Sequence, residues 1–377
     1  SCLELIERVE DQLSKMQPTR QVDHGEDRAI LISVSTGSKF EAQDSMLELA
    51  ELARAANVEV VEQVIQHRRA IDPRFILGRG KLMDITLMSL RNGANLLLFD
   101  QELSPSQVRS VTNRTDLRVI DRTQLILDIF ASRALSREGR LQIEMAQLKY
   151  MLPMLTTRDD ALSRLTGGIG ARGPGETKLE IDRRRINDRI AKLSKELKAV
   201  GQQRYNRRNR RRKHDVPVVS LVCYTNAGKS TLLNTLTNSE IHAEDMLFAT
   251  LDPTSRRLRF PKETEVILTD TVGFIRNLPA ELLKAFESTL EELFEADLLL
   301  HVIDISNPAW KEQVLVVEKL LEELELNTIP CLRVYNKIDL LPGKIMPKME
   351  DGICVSAQEP RTLVDLLREV EQQMQVV

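Results

Sequence analysis

The sequence is poor in cysteine and has no long apolar segment. Its four cysteines, Cys2, Cys223, Cys331 and Cys354, form no C-x-x-C pair, which argues against a zinc site and against a disulfide framework. No apolar run approaches the roughly 18 residues that span a bilayer, and the acidic opening residues contain no signal-peptide core. We therefore expect a protein of a reducing, cytoplasmic compartment that has no membrane segment.

The chain also lacks a strong overall charge, with a formal net charge of -3 over 377 residues. Its length is sufficient for two or three domains, and a hydrophobic content of 42% supports ordinary cores. Cations are nevertheless concentrated in residues 204–213, which carry seven lysines and arginines and no acid. This run favours binding to nucleic acid phosphates; a solvated helix end whose cations face the C-terminal dipole is the alternative.

One glycine is missing from what is otherwise a phosphate-binding loop. An apolar run over 216–222 predicts a strand, and Cys223-Tyr-Thr-Asn-Ala-Gly-Lys-Ser-Thr231 follows it. The pattern G-x-x-x-x-G-K-S/T is complete except at its first position. Backbone N–H groups of such a loop surround a polyphosphate, while its lysine neutralises the β- and γ-phosphates and its serine binds Mg²⁺. The predicted contacts are Cys223, Tyr224, Thr225, Asn226, Ala227, Gly228, Lys229, Ser230 and Thr231.

Cys223 is expected to weaken this loop. The first position turns sharply out of the strand and often needs a backbone conformation that only glycine adopts freely. A Cβ forced into it costs about 1–3 kcal/mol, which is about one to two decades in nucleotide affinity. One alternative is therefore a nucleotide-regulated RNA-binding or assembly module with little nucleotide turnover.

Further motifs follow in the order of a guanine nucleotide-binding domain. A strand over 266–270 ends in a carboxylate that can hold Mg²⁺ through water, and the glycine three positions later lets its N–H approach a γ-phosphate. After an apolar strand over 298–304 come an Asn-Lys-x-Asp sequence, whose last carboxylate can accept from guanine donors, and a Ser-Ala pair whose N–H can meet the guanine carbonyl. The predicted contacts are Asp270, Gly273, Asn336, Lys337, Asp339, Ser356 and Ala357.

Hydrolysis is expected to depend on Lys229, Thr250 and Gly273. Thr250 lies in a segment that should close on the metal only when the γ-phosphate is present, so Ser230, Thr250 and Asp270 form the predicted Mg²⁺ set. These motifs together predict a P-loop GTPase domain, with a Ras-like mixed sheet and helices on both faces.

Two residues bear on the rate of hydrolysis. Phe274 stands where many GTPases have a water-orienting glutamine, so intrinsic hydrolysis should be slow. Asn226 occupies the position where potassium-stimulated GTPases place an asparagine, which makes K⁺ a candidate cofactor that would add charge beside the phosphates. An asparagine that only shapes the loop is the alternative.

Residues 1–133 predict a small parallel α/β domain. Strand candidates over 29–35, 58–65, 95–100 and 117–120 alternate with helical patterns near 44–56, 80–92 and 104–114. Within this region, Phe75-Ile-Leu-Gly-Arg-Gly-Lys81 resembles a phosphate turn, which leaves open a second nucleotide site. A tight turn before a helix is the alternative.

Residues 134–214 predict a long antiparallel helical hairpin, which leaves 215–377 for the GTP-binding domain. Apolar residues recur at helical spacing in both arms, so that two stripes can pack on each other. Residues 166–175, between the arms, contain five glycines and one proline, and such bare backbone could fit closely against a structured surface; a flexible linker is the alternative. The stripes are Leu141, Met145, Leu148, Leu152 and Leu155, then Leu179, Ile186, Ile190, Leu193, Leu197 and Val200.

Over nearly its whole length the chain resembles the HflX family of ribosome-associated GTPases. The most specific elements are the glycine-rich 167–177, Phe248-Ala-Thr-Leu-Asp-Pro-Thr254 and Asp270-Thr-Val-Gly-Phe-Ile-Arg276. The resemblance implies a monomer that binds GTP or GDP with Mg²⁺ and associates with the large ribosomal subunit, where members split or recycle ribosomes, especially under stress. It also implies that the hairpin and the glycine-rich loop approach rRNA near the peptidyl-transferase region, and we expect a ribosomal surface to activate hydrolysis.

Three features common in that family are missing. Cys223 replaces the usual glycine, and Glu359-Pro-Arg361 stands where Thr-Gly commonly follows the Ser-Ala pair. The sequence ends at Val377, before the small C-terminal domain that many members carry. The replacement of glycine by Cys223 puts nucleotide affinity and turnover in doubt. The change at 359–361 still allows Ala357 to donate its N–H to guanine.

Overall fold

The computed structural model describes residues 27–156, 178–211, 216–237, 247–248, 254–259, 265–270, 273–276, 290, 293–341, 349 and 351–374. Several predictions from sequence fall outside these ranges, namely Thr250, the glycine-rich loop at 166–177, and residues 212–213 of the cationic run. Among the described residues, none of the helices is both long enough and apolar enough to cross a bilayer.

The N-terminal part is a four-stranded parallel sheet in the order β2-β1-β3-β4, with a helix in each connection. The predicted strands and helices of this part are confirmed, with ends that differ by a few residues. The elements are β1 (Arg28–Ser35), α1 (Lys39–Ala55), β2 (Glu59–His67), α2 (Arg79–Asn92), β3 (Leu96–Phe99), α3 (Pro105–Thr115), β4 (Arg118–Asp121) and α4 (Arg122–Arg133).

Local sequence explains where these helices begin and end. Ser38 and Ser104 each form a capping box with the residue three positions later, and Pro105 occupies the first turn of α3. Helix α2 ends at Gly93, whose φ of +65° is the left-handed conformation that glycine adopts without strain. Strands β1 and β3 are apolar and buried, as expected for a parallel sheet covered on both faces.

Two long helices follow, α5 (Arg137–Thr156) and α6 (Lys178–Arg211). They run antiparallel, because Arg189 on α6 binds Glu144 on α5 through two 2.7 Å hydrogen bonds and Arg137 lies 3.9 Å from Glu196. Leu193 of the predicted stripe is fully buried. The apolar spacing thus predicted both the helices and the way in which they face each other.

The C-terminal part is a six-stranded mixed sheet in the order β10-β9-β8-β5-β7-β6, in which β6 alone runs antiparallel to its neighbour. This is the arrangement predicted for a P-loop GTPase domain. The elements are β5 (Val218–Cys223), α7 (Lys229–Thr237), β6 (Thr254–Arg259), β7 (Glu265–Asp270), β8 (Leu298–Asp304), α8 (Trp310–Glu323), β9 (Cys331–Asn336), β10 (Gly352–Cys354) and α9 (Leu363–Met374).

One apolar core continues from the N-terminal sheet into the C-terminal one. It joins residues of α1 and α4, such as Leu49 and Phe130, to Phe248, Phe274 and Val317 of the C-terminal part. Burial of apolar surface is the main stabilising term in folding, so this shared core holds the two sheets together. They are packed against each other and not only joined by the chain between them. The loops at the carboxyl ends of β5 and β7 lie beside this shared core.

Candidate functional site

The loops that carry the predicted nucleotide contacts meet at one edge of the C-terminal sheet. Strands β5, β7, β8 and β9 are parallel, so their carboxyl ends lie side by side. In open α/β sheets this edge is where ligands bind. The loop 223–230 follows β5 and leads into α7, which begins at Lys229.

The expectation that Cys223 strains the phosphate loop is wrong. Cys223 is the last residue of β5, pairs with Val302 of β8, and is not among the residues with positive φ. A β conformation is open to any L-residue, so a Cβ brings no backbone penalty here. The side chain is 2% exposed and packs in the core, and burial raises the pKa of its thiol to about 12. Cys223 is therefore a neutral core residue at the end of the strand.

The strained backbone lies further along the loop. Asn226 has a φ of +62° and Gly228 a φ of +88°. Asparagine is one of the few residues with a side chain that tolerates the left-handed region, so this conformation by itself accounts for Asn226. A Cβ on Gly228 would lie 2.5 Å from Nδ2 of Asn336, so this position requires glycine for both its conformation and its close contact.

Lys229, Ser230 and Asp270 come together at the mouth of the loop. The Lys229 ammonium contacts the Asp270 carboxylate, and the Ser230 hydroxyl lies 3.3 Å from Oδ2 of the same carboxylate. Both charged groups are buried, at 6% and 0% exposure. The serine and aspartate oxygens are the hard ligands that Mg²⁺ prefers, and the lysine is placed to meet a phosphate.

Gly273 and Phe274 fasten the segment behind Asp270 onto the phosphate loop. The backbone N–H of Thr225 donates to the carbonyl of Phe274 at 2.7 Å, and the N–H of Phe274 donates to the carbonyl of Cys223 at 2.8 Å. A Cβ on Gly273 would lie 3.1 Å from Cα of Thr225, tighter than most Cβ contacts. Glycine therefore lets the two segments approach, and the Phe274 ring is buried, so it offers no polar group to an attacking water.

Asn336 ties the predicted guanine-binding loops to the phosphate loop. Its Nδ2 donates to the carbonyl of Ala227 at 2.8 Å, and its Oδ1 accepts from the N–H of Ala357 at 2.9 Å. That N–H was predicted to meet the guanine carbonyl, but in this structure it is engaged by Asn336. Ser356 is buried beside it, and Asp339 lies half-buried in a short 3-10 turn, Ile338–Leu340.

Asp304, the last residue of β8, is a site residue that was not predicted from the sequence. The ammonium of Lys337 lies 2.8 Å from its Oδ2, and Lys337 itself has a φ of +66°. The ion pair holds the lysine stem in place beside the base-recognition loop. Asp304 could have been predicted, because it is a carboxylate at the end of a predicted strand, on the sheet edge that carries the site.

The possible second phosphate turn at Gly78 is the start of a helix. Gly78 is the N-cap of α2 with a φ of -68°, and its N–H donates to the side chain of Gln66 at 3.3 Å. The segment is a tight turn that leads into a helix, and nucleotide binding there stays a prediction.

Three family profiles match consecutive parts of the chain. They are described as GTP-binding GTPase N-terminal, over residues 43–131; GTP-binding GTPase Middle Region, over 133–211; and 50S ribosome-binding GTPase, over 218–337. The third covers the phosphate loop, Asp270 and the start of the Asn-Lys-x-Asp sequence.

Curated relatives match most of the chain. A GTPase HflX from Caldanaerobacter subterraneus is 48% identical over 349 residues, which is 92% of this chain and 81% of the relative. The GTPase HflX of Escherichia coli K12 is 46% identical over 319 residues, covering 85% and 74% of the two chains. Among solved structures, the complex of SsGBP with GDP has a TM-score of 0.51 at 26% identity and covers 93% of this chain and 99% of that one.

Replacement of Cys223 by glycine should destabilise the fold without improving nucleotide binding. The variant loses a buried side chain and adds a flexible residue to a strand, which together cost about 1–3 kcal/mol. The GDP dissociation constant should stay within about twofold of the wild type, since no strain is relieved. Urea unfolding and GDP titration check this, with Cys223→Ala as the milder control. A tenfold gain in GDP affinity would show that the cysteine does strain the loop.

Replacement of Gly228 by alanine should impair both the loop and the Asn336 contact. A Cβ at positive φ costs about 1–3 kcal/mol, and the clash displaces Asn336 as well, so GDP affinity should fall by about tenfold or more. Gly80→Ala is the control, because Gly80 lies in α2 with no atom within 4 Å of an added Cβ. It should be neutral or stabilising by about 0.5–1 kcal/mol. Equal GDP affinities for the two variants would contradict this account of Gly228.

Proposed function

This chain belongs to the HflX family of GTPases, and we propose that it binds the large ribosomal subunit and uses GTP hydrolysis to change its affinity for that subunit, splitting or recycling ribosomes under stress. The observation that carries the proposal is the assembled constellation of Lys229, Ser230 and Asp270 on the phosphate loop, in a region that matches a 50S ribosome-binding GTPase profile. The protein is a GTP hydrolase, and the ribosomal step is the part to be tested.

We propose the following roles for the site. The N–H groups of the phosphate loop and the ammonium of Lys229 bind the β- and γ-phosphates, and Gly273 presents its N–H to the γ-phosphate. Ser230, Asp270 and Thr250 hold Mg²⁺, which would neutralise charge on the phosphate oxygens when bound. Lys229 currently neutralises Asp270, and in this proposal it exchanges that carboxylate for phosphate oxygens.

Recognition of guanine is assigned to Asp339, with Asn336 as the brace of the surrounding loops. The side-chain amide of Asn336 donates to Ala227 and accepts from Ala357, so its role is to hold the base-binding segments against the phosphate loop. Lys337, kept in place by Asp304, covers one side of the base. These assignments favour guanosine over adenosine nucleotides, because Asp339 accepts from two adjacent donors that adenine lacks.

The hydrolytic step requires help from outside the chain in this proposal. The buried phenyl ring of Phe274 cannot orient water, and the expected rate without a partner is low. A ribosomal surface would order the water or supply charge near the γ-phosphate. The hairpin of α5 and α6, with the glycine-rich loop 166–177 between them, is the proposed contact with rRNA, and the cationic run 204–213 adds affinity for phosphates.

We propose that the chain has three domains, over residues 1–133, 134–214 and 215–377, and that the protein is a cytoplasmic monomer. The alternative, an RNA-binding or assembly module with little turnover, depended on a strained Cys223. Since Cys223 has ordinary strand geometry, that reason is gone. GTP-dependent release or capture of the large subunit is the function that the site supports best.

Large ribosomal subunits should accelerate GTP hydrolysis by about tenfold or more, because they supply the missing charge or water orientation. In sedimentation assays, more protein should bind the subunit with a non-hydrolysable GTP analogue than with GDP. Lys229→Ala should lose hydrolysis in both the presence and the absence of subunits. Equal sedimentation with both nucleotides, together with an unchanged rate, would refute the ribosomal part of the proposal.

The role of K⁺ can be separated from loop shape by one variant. If the amide oxygen of Asn226 binds K⁺ beside the phosphates, hydrolysis should be several-fold faster in KCl than in NaCl at equal ionic strength. Asn226→Gly keeps the left-handed conformation accessible but removes the oxygen, so it should bind GDP and lose the difference between the salts. Equal wild-type rates in the two salts would leave Asn226 as a loop-shaping residue.

A further inference from the structure

Helix α4 of the N-terminal part contacts segments on both sides of the nucleotide site. Near its C-terminal end, Arg133 donates from Nη1 to the carbonyl of Leu247 at 2.7 Å. At its start, Arg122 donates from Nη2 to the carbonyl of Arg276 at 3.4 Å. Leu247 lies three positions before Thr250, and Arg276 lies three positions after Gly273. One helix outside the GTP-binding domain therefore touches the two segments that are expected to respond to the γ-phosphate.

Phe248 is held in an unfavourable backbone conformation at this contact. Its φ is +58°, a region that bulky residues seldom adopt. Its ring is buried and packs at 4.5 Å, centroid to centroid, against Phe130 of α4. Residues in sparsely populated backbone regions persist only where their surroundings hold them, so α4 stabilises this conformation of Phe248.

Tyr224 is the member of the phosphate loop that reaches the N-terminal part. Its ring is 5% exposed, and its hydroxyl donates to Oε1 of Glu48 on α1 at 2.7 Å. The same hydroxyl accepts from the backbone N–H of Arg276 at 3.0 Å. Burial, and then the charge of Glu48, raise the pKa of Tyr224, so its hydroxyl remains a donor. A single oxygen thus joins the phosphate loop, the segment behind Asp270 and the N-terminal part.

Ion pairs extend the network that begins at this oxygen. We call the whole network the interdomain clamp, and it consists of Asp44, Glu48, Asp100, Arg122, Tyr224 and Arg276. Arg122 is 3% exposed and lies 3.1 Å from Glu48 and 3.0 Å from Asp100. Burial would lower the pKa of Arg122, but the two carboxylates raise it above its usual value, so the guanidinium stays charged. Arg276 in turn lies 2.6 Å from Asp44, one helical turn before Glu48 on α1.

The clamp consists of buried hydrogen bonds and ion pairs, which depend on direction and distance more strictly than apolar packing does. Buried polar groups are costly unless each finds a partner, so the network specifies one arrangement of the two parts. Gly273 and Phe274 precede Arg276 of the clamp in the chain; Phe274 is hydrogen-bonded to the phosphate loop, and Gly273 lies close to the backbone of Thr225. A γ-phosphate and the N-terminal part therefore act on the two ends of one four-residue segment, whereas GDP has no group that reaches Gly273.

We propose that the hydroxyl of Tyr224, held by Glu48, is a positioning group for GTP hydrolysis. It sets the position of Gly273–Arg276 against the phosphate loop, so that binding of GTP, but not of GDP, depends on the docked N-terminal part. By linkage, the γ-phosphate then changes the strength of the contact between the two parts. The inference rests on the proposed assignment of Asp270 and Gly273 to the nucleotide.

Tyr224→Phe tests this most directly, because it removes the hydroxyl and keeps the ring. The variant should bind a non-hydrolysable GTP analogue about tenfold more weakly, keep its GDP affinity within about twofold, and show a lower kcat. Tyr335→Phe is the matched control, since its hydroxyl also donates to a carboxylate, Asp351 at 2.9 Å, but has no contact with the clamp. It should leave the ratio of the two affinities unchanged. A wild-type ratio in Tyr224→Phe would overturn the inference.

Glu48→Gln gives a second measurement that does not depend on the folding of the first variant. Glutamine keeps an acceptor for Tyr224 but removes the charge, so the affinity ratio should shift in the same direction by less. Because Glu48 also pairs with Arg122, the double variant should lose stability, but its ratio of the two affinities should equal that of Tyr224→Phe alone, since Glu48 reaches the nucleotide through the Tyr224 hydroxyl. Additive effects, or an unchanged ratio in Glu48→Gln, would show that Tyr224 does not act through Glu48.

The failure of this inference is distinguishable from the failure of the nucleotide assignment. If the full-length wild type binds neither GDP nor the GTP analogue in these titrations, the assignment of the phosphate loop is wrong and the inference falls with it. If the wild type binds both and the Tyr224→Phe ratio is unchanged, only the positioning role is refuted.

Discussion

A buried lysine at the start of α7 and a buried aspartate at the end of β7 have to neutralise each other. Lys229 and Asp270 are both almost fully removed from solvent, and an unpaired charge in that position costs several kcal/mol. The pair is possible only because β5 and β7 are adjacent and parallel, so that the first residue of α7 faces the last residue of β7. This requirement keeps the phosphate-binding loop assembled before a phosphate arrives.

At the nucleotide site, glycine is required at some motif positions and is only common at others. Gly228 combines a positive φ with a contact that leaves no room for a Cβ, and Gly273 lies against the backbone of Thr225. Cys223 meets neither condition, because the strand simply continues through it and its side chain faces the core. Loss of a motif glycine therefore has a consequence only where backbone conformation or close approach demands one.

The two sheets of this molecule share both an apolar core and a buried polar cluster. Apolar contact alone would allow small sliding movements, whereas hydrogen-bonded charges fix direction and distance. The interdomain clamp lies at the carboxyl edge of the N-terminal sheet, where Asp100 follows β3 and Arg122 follows β4. That edge commonly binds ligands in parallel α/β folds, and in this chain it receives loops of the GTP-binding domain instead.

Much of the architecture followed from local patterns. Apolar runs, helical spacing and the order of the nucleotide motifs were sufficient to predict the α/β fold class, the long helices and the GTPase domain, because burial periodicity acts over a few residues. The roles of the individual site residues, including Thr250, and the bounds of the three domains stay predictions. The sequence also determined, by the position of its motifs, which loops lie on the active edge of the sheet.

Only the tertiary structure decided how these loops are held. Whether Cys223 is strained depends on its φ, which residue types do not reveal, and the engagement of Ala357 by Asn336 depends on two loops that meet in space. Tyr224 and Glu48 are 176 positions apart, so no local pattern connects them. Hydrogen bonds and ion pairs between distant segments form because the shared core brings them together, and that is why their partners had to be read from the folded chain.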